Sequence, residues 1–249
     1  MRVLIGFFGI TRSLRHTLPS IEQNILAPLR QSGAEIRRYG HFHLPEFIDN
    51  PRSAESRQPT DIAEADLLNL DVCEIEPQNP TLVEPSMNEV RAYPDTLRDN
   101  YASARNLCFQ LRSLNRLWSL MARDAAATNA ATILFLRPDL RYLDPIDIPA
   151  LAGQMRAAGA SLAVPDWHQW GGLNDRFALA TVHAARIYAT RLHALRAGLH
   201  AYGGLHGESL LAHAVATAGL RVMPLPVRAL RIRAHGAPEP RDLQEFNLT

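Results

Sequence analysis

The sequence predicts an α/β fold, a doubly wound, mixed but mostly parallel sheet flanked by helices. Three observations carry that expectation. The chain opens on a β-α-β pattern: an apolar run, Val3-Leu-Ile-Gly-Phe-Phe8, then helical spacing at Ile21, Ile25 and Leu29, then a second strand from Ala34 to His43. Later apolar runs, Ile133 to Leu136 and Ser161 to Val164, are short enough for strands buried on both faces and alternate with helical segments. Two segments, Arg137-Pro-Asp139 and Asn174-Asp175-Arg176, set a carboxylate beside an arginine in a polar turn next to such runs. In open α/β sheets, ligands bind just beyond the carboxyl ends of the strands.

Taken in order, Gly9-Ile-Thr-Arg12 is the turn after the first strand, and the following helix ends near Ser32-Gly33. Residues 45–99 hold several prolines, many acidic residues and little periodicity. They read as a long insertion or lid with one short strand at Asp71-Val-Cys-Glu-Ile75. Tyr101 to Ala127 is the clearest helix, with an inward stripe at Leu107, Gln110, Leu111, Leu114, Leu117, Trp118 and Met121. Thr132 to Leu136 is a strand, Ile148 to Ala157 a short helix, and Phe177 to Thr181 a further strand. Ala184 to Leu199 and Glu208 to Ala218 read as helices, and Arg221 to Leu225 and Ala229 to Arg233 as strands. Residues 237–249 are Pro-rich and polar and read as a mobile tail. No repeat and no domain boundary stands out, so the expectation is one domain over residues 1–249.

The 249 residues, 47% hydrophobic and 20% charged, suit a globular enzyme with a full core. A net charge of +1 gives no global attraction to nucleic acid, which is not expected as a partner. All 26 basic residues are arginine. The absence of lysine excludes a P-loop lysine, a Schiff base and a lysine general base. Cys73 and Cys108 lie far apart and read as two reduced thiols. No signal peptide or membrane-length apolar run is seen. The expected location is therefore cytoplasmic, with peripheral contact to the inner membrane left open, as is the oligomeric state.

Several residues could carry chemistry. Gly6, Gly9, Thr11 and Arg12 could cradle a phosphate through backbone amides, a hydroxyl and a guanidinium fork, or form only a tight turn. Asp139 could face a sugar or a metal-bound diphosphate, since Mg²⁺ and Mn²⁺ prefer oxygen ligands; an ion pair with Arg137 that ties two loops is the alternative. Asp147 reads as a helix cap. Trp167 and Trp170 offer aromatic faces to a sugar, or anchor a loop. Asn174, Asp175 and Arg176 could address sugar hydroxyls, or form a capped turn. Glu208, in the first turn of a helix, could act as a general base. Arg231, Arg233 and His235 alternate along a strand and so share a face. They form a candidate anion clamp, with His235 a candidate metal ligand. His41 and His43 also share a strand face and read as polar surface residues rather than ligands.

The order of FFGITRS, QLRSLNRLW, LFLRPDLRY, GGLNDRFALA, HGESLLAH and LRIRAHG resembles a group of small bacterial and viral glycosyltransferase-like proteins linked to surface polysaccharide or lipopolysaccharide assembly. That resemblance implies a GT-A-like, Rossmann-type fold, a nucleotide-sugar donor and a glycan or glycolipid acceptor. It places the family's metal-holding Asp-x-Asp motif on Arg137-Pro-Asp139, where the first acid is an arginine. A Mn²⁺ or Mg²⁺ cofactor is then in question, and Arg137 would supply positive charge to the diphosphate instead. The expected assignment is as follows. Gly9, Thr11, Arg12, Arg137, Asp139, Arg231 and Arg233 bind the donor, while Trp167, Trp170, Asn174 and Arg176 bind the acceptor. Asp175 or Glu208 is the base, and Asp139 and His235 are candidate metal ligands. The alternative is a non-catalytic nucleotide- or sugar-binding protein on a degenerate transferase fold. A nucleotidyltransferase would need two or more clustered metal-binding carboxylates, which the chain does not obviously offer.

Overall fold

The computed structural model describes residues 1–50, 55–127 and 132–248. The first strand, β1 (Arg2–Gly9), is followed by α1 (Leu14–Ile21), which continues through a π-helical turn (Glu22–Leu26) into α2 (Ala27–Gln31). Next come β2 (Glu35–Leu44) and the β3 (Phe47–Asn50) and β4 (Glu55–Pro59) hairpin. A 3₁₀ segment (Ile62–Leu68) leads to β5 (Val72–Pro77) and α3 (Glu84–Val90). The long helix α4 (Ala102–Ala127) precedes β6 (Thr132–Leu136), β7 (Leu140–Tyr142) and α5 (Ile148–Ala157). β8 (Leu162–Pro165), β9 (Ala178–Ala180), α6 (Val182–Ala189), α7 (Leu195–Tyr202) and α8 (Gly207–Thr217) follow. β10 (Val222–Leu225), β11 (Ala229–Arg231) and α9 (Pro240–Glu245) complete the chain.

Seven strands form one sheet in the order β10-β8-β9-β6-β1-β2-β5. β9 runs antiparallel to both β6 and β8, and the remaining neighbours pair in parallel. The architecture is the mixed, mostly parallel α/β sheet that the sequence predicts. β1 lies near the centre because it is apolar on both faces. Val3, Ile5 and Phe7 pack with Ile21, Ile25 and Leu29 on one side; Leu4 and Phe8 pack with Leu114, Leu117 and Met121 of α4 on the other. Gly6 lets α4 approach: a Cβ there would sit 2.7 Å from Leu117 Cδ2 and 2.8 Å from Met121 Sδ. Its role is helix–sheet packing, which replaces the phosphate-cradle reading.

Residues 45–99 are more regular than their composition suggests. β5 extends the main sheet at its edge, and Val83, Met87 and Val90 around α3 form a small core with Phe109, Leu195 and Leu199. β5 is the short strand expected at residues 71–75, and its Glu74 and Glu76 are met across space by Arg116 and Arg112 of α4. The segment read as a mobile tail is instead anchored, because Asp242 on α9 is fully buried and Phe246 packs edge-on against Trp167. The single helix expected from Ala184 to Leu199 breaks at a 3₁₀ turn (Arg191–Ala194). The break turns Arg191 inward, where its guanidinium binds the Tyr188 carbonyl and the Asp175 carboxylate. Among the described residues, no helix is long and apolar enough to cross a membrane.

Candidate active site

The order of strands reverses direction at β1, with β2 following on one side and β6 returning on the other. At the carboxyl ends of these strands lies a cleft of about 480 Å³. Such a reversal opens a crevice between the outgoing loops, the usual ligand site of an open α/β sheet. β1 delivers Gly9 and Arg12, β2 delivers His43, and β6 delivers Arg137 and Asp139. β11 brings Arg231, the segment after it Arg233, and the start of α8 Glu208, with Asp175 also in the lining.

The cleft floor is a continuous polar chain. Arg137 grips Asp139 with a two-pronged fork, Nε to Oδ1 at 2.9 Å and Nη2 to Oδ2 at 2.7 Å. Arg12 donates to the same Oδ2 at 2.9 Å. From the other side, Arg137 Nη1 donates to Gln110 Oε1 at 2.7 Å, and Gln110 Nε2 donates to Asp175 Oδ2 at 3.2 Å. Arg191 closes the chain on Asp175 Oδ2 at 2.9 Å. Burial acts to raise the pKa of the Asp139 carboxyl, but the charges of Arg137 and Arg12 outweigh it and hold the group well below the usual carboxylate range.

Arg231 differs from its neighbours. Its guanidinium makes no hydrogen bond or ion pair among the described residues, and its buried Nε has no partner. Burial, and then the charges of Arg176 and Arg137, press its pKa well below the ordinary value. The Asp139 and Asp242 charges oppose this pressure without a hydrogen bond to the guanidinium, which keeps its proton. Arg233, only 8% exposed, is pushed down to about 10 by burial and by Arg12. It pairs with Glu239 and, at 3.6 Å, with Glu55.

Two further carboxylates, Asp175 and Glu208, line the cleft. Glu208 is mostly buried in the first turn of α8, 3.2 Å from His206 Nδ1. Burial, reinforced by the Asp175 charge, lifts its carboxyl to about 7, near the working range of a proton acceptor. Its backbone is fixed by the preceding loop, because Leu173 N–H donates to the Glu208 carbonyl at 3.1 Å. Gly172 permits that approach: a Cβ there would lie 2.2 Å from the Glu208 carbonyl carbon and oxygen. Gly172→Ala is expected to cost about 2 kcal/mol or more, the scale of overpacking against atoms that cannot turn away, measured by denaturant unfolding.

Seven of the expected site residues therefore meet in one cleft: Arg12, Arg137, Asp139, Asp175, Glu208, Arg231 and Arg233. Gly9 lines it too, but its N–H is spent on Ser113 Oγ at 2.9 Å and is not a phosphate donor. Thr11 is buried outside the cleft lining and starts α1 through its carbonyl. The acceptor assignment does not hold for three residues. Trp167 is a core residue whose Nε1 donates to the Val227 carbonyl at 2.8 Å. Asn174 bridges the Trp167 carbonyl and the Arg176 N–H. Arg176, 2% exposed, lies on the Trp167 ring and pairs with Asp242 at 2.9 Å. These side chains lock the loop behind the cleft because their polar groups find partners inside the protein. Trp170 is exposed, but it stacks on His168 in a separate shallow depression with Arg241 and Glu245.

Neither metal assignment fits. Asp139 faces Arg137 and Arg12 directly and lies in the field of Arg231, so a divalent cation would meet concentrated positive charge. His235 is exposed and outside the cleft lining, with its Nδ1 accepting from Ala237 N–H at 3.4 Å. His41 and His43, read as surface residues, are 0% and 1% exposed because α4 covers their face of the sheet. Sequence reasoning missed Glu55 and treated Gln110 only as part of the helix stripe. Glu55, fully buried, receives Arg12, Arg233 and the Ala234 N–H, and its segment carries no local signal. Gln110 did carry one, as the single amide in an otherwise apolar stripe.

No family model matches this sequence, and no curated protein matches it. Among solved structures, the chain is similar to mouse xyloside xylosyltransferase 1 in its apo form, at 13% identity and a TM-score of 0.42, over 90% of this chain and 85% of that one.

Proposed function

We propose that the cleft binds a nucleotide sugar and transfers its sugar to an acceptor hydroxyl. The observation that carries this reading is Arg231, a guanidinium with no hydrogen-bonded anion, in one cleft with Arg12, Arg137 and Arg233 and with a carboxylate poised near neutral pH. A diphosphate supplies the missing anion. As the bond from the anomeric carbon to the diphosphate oxygen breaks, charge grows on that oxygen, and fixed guanidinium groups stabilise it without a metal. Glu208 accepts the proton of the acceptor hydroxyl as its oxygen bonds to the anomeric carbon. Asp139 positions Arg12 and Arg137 rather than touching sugar. Asp175, already bound to Gln110 and Arg191, keeps the Glu208 carboxyl weakly acidic. The sequence resemblance supports a glycan or glycolipid acceptor in surface-glycan synthesis.

The test is a thermal-shift screen against UDP-, GDP-, CMP- and dTDP-sugars, with and without Mn²⁺. Native-state ligands raise the melting temperature by mass action. One nucleotide class is expected to do so equally with and without Mn²⁺, and Arg231→Met to bind it roughly 10- to 100-fold more weakly, the worth of one charge-assisted contact. No shift with any class would remove the donor-site reading. Binding without turnover would leave the second reading, a non-catalytic nucleotide-sugar binder, favoured by the arginine at the first motif position, Arg137.

A further inference from the structure

His41 and His43 alternate along β2, as Glu74 and Glu76 do along β5. The parallel register sets His41 beside Glu74 and His43 beside Glu76. Alternate residues share a face, so the two pairs lie on the same side of the sheet, under α4. The proton on His41 can be placed from its surroundings. Ser113 Oγ donates its only proton to the His41 carbonyl at 2.6 Å and accepts the Gly9 N–H at 2.9 Å. Its 3.2 Å contact with His41 Nδ1 therefore requires the hydrogen to be on Nδ1. Nε2 is left with a lone pair, fully buried, without a hydrogen-bond partner, and 3.8 Å from Glu76 Oε2. Oε2 already accepts from Arg112, so Nε2 is the atom without a partner, and a cation beside the carboxylates would supply one.

We propose that His41 Nε2 and the carboxylates of Glu74 and Glu76 bind a divalent cation of the zinc class, which ties β2 and the edge strand β5 together under α4. Their ligand atoms all lie within 4.8 Å of one another. Zinc bonds of about 2.0–2.2 Å require a contraction of about 1 Å, within reach of side-chain rotation. Imidazole with carboxylates suits Zn²⁺ better than Mg²⁺ or Ca²⁺. Ser113 supplies the outer partner that fixes the ring of a metal-binding histidine. Arg112 Nε and Nη2 use both lone pairs of Glu76 Oε2 and one of Oε1, and Arg116 uses one of Glu74 Oε1, so Glu76 Oε1 and both Glu74 oxygens retain capacity for a cation. Two carboxylates against two arginines leave no net positive charge to repel it, unlike the lone Asp139. The site is separate from the arginine cleft and does not depend on the transferase reading.

The test titrates chelator-treated protein with Co²⁺ and then Zn²⁺. One Co²⁺ per chain is expected, with ligand-field absorption that Zn²⁺ abolishes, and Zn²⁺ raises the melting temperature. His41→Gln and Glu74→Gln each remove both signals, while Ser113→Ala weakens binding at least about 10-fold. Cooperative melting of the variants in chelator shows that they are folded. If His41→Gln does not fold, Glu74→Gln, on the part-exposed edge strand, carries the test alone. No saturable binding by the wild-type protein, or binding that survives these substitutions, overturns the proposal.

Discussion

Glu208→Gln is expected to lower kcat by about 10²- to 10⁴-fold, the usual worth of a positioned general base. The pH profile separates this role from a structural one. Burial and Asp175 raise the Glu208 carboxyl to about 7, so the wild-type rate should climb with pH through a midpoint near that value. The glutamine variant should lack this limb. Stability runs the opposite way. The folded carboxyl holds its proton up to about 7, while the open chain releases it near 4.5. Its contribution is complete below about pH 4.5 and is lost as pH rises through about 7. Glutamine keeps the shape without the charge. Relative to wild type, the variant should therefore melt roughly 2 °C or more higher at about pH 8 than the same comparison gives at about pH 5. A flat wild-type rate profile, with no difference between the two melting comparisons, would remove the assignment.

Asp242→Ala is expected to have the largest effect on stability. The Asp242 carboxylate is fully buried on α9. It accepts the Arg231 backbone N–H at 2.7 Å, pairs with Arg176 at 2.9 Å and lies 3.3 Å from His168 Nδ1. Truncation leaves Arg176, itself 2% exposed, as an uncompensated buried charge. Losses of about 3–5 kcal/mol follow when one member of a buried pair is removed, equivalent to roughly 10 °C in melting temperature for a chain of this size. Differential scanning calorimetry checks it. Asp242→Asn, which keeps the acceptor for Arg231 N–H, should recover part of the loss. A mobile tail would show no change, and that outcome would contradict the anchored α9.

The helical stripe of α4 and the apolar run of β1 were readable because each depends on neighbours a few residues away. Leu111, Leu114, Leu117 and Met121 recur at helical spacing and are all fully buried. The cleft arginines were also nameable, since a charge placed just past an apolar strand has few other reasons to be there. The acceptor group failed for a physical reason. Trp167, Asn174 and Arg176 look like sugar-binding chemistry in a line of sequence, but polar and aromatic groups that satisfy one another can be buried as a lock. Their partners, Val227 and Asp242, lie 60 and 66 residues away.

By itself the sequence determined the α/β class, the buried first strand β1, the inward stripe of α4, and the identity of the charged residues at the strand ends. These follow from period and composition, which act locally. Only the tertiary structure decided what those charges do. Arg12 reaches Asp139 across 127 positions, and Glu55 meets the Ala234 N–H across 179. Such encounters clamp Asp139 between two arginines, leave the Arg231 guanidinium without a hydrogen-bond partner, and raise Glu208 toward neutral pH. The reason is that charge and hydrogen bonding are settled by what stands within about 4 Å after burial, where the low dielectric magnifies every pairing and every omission.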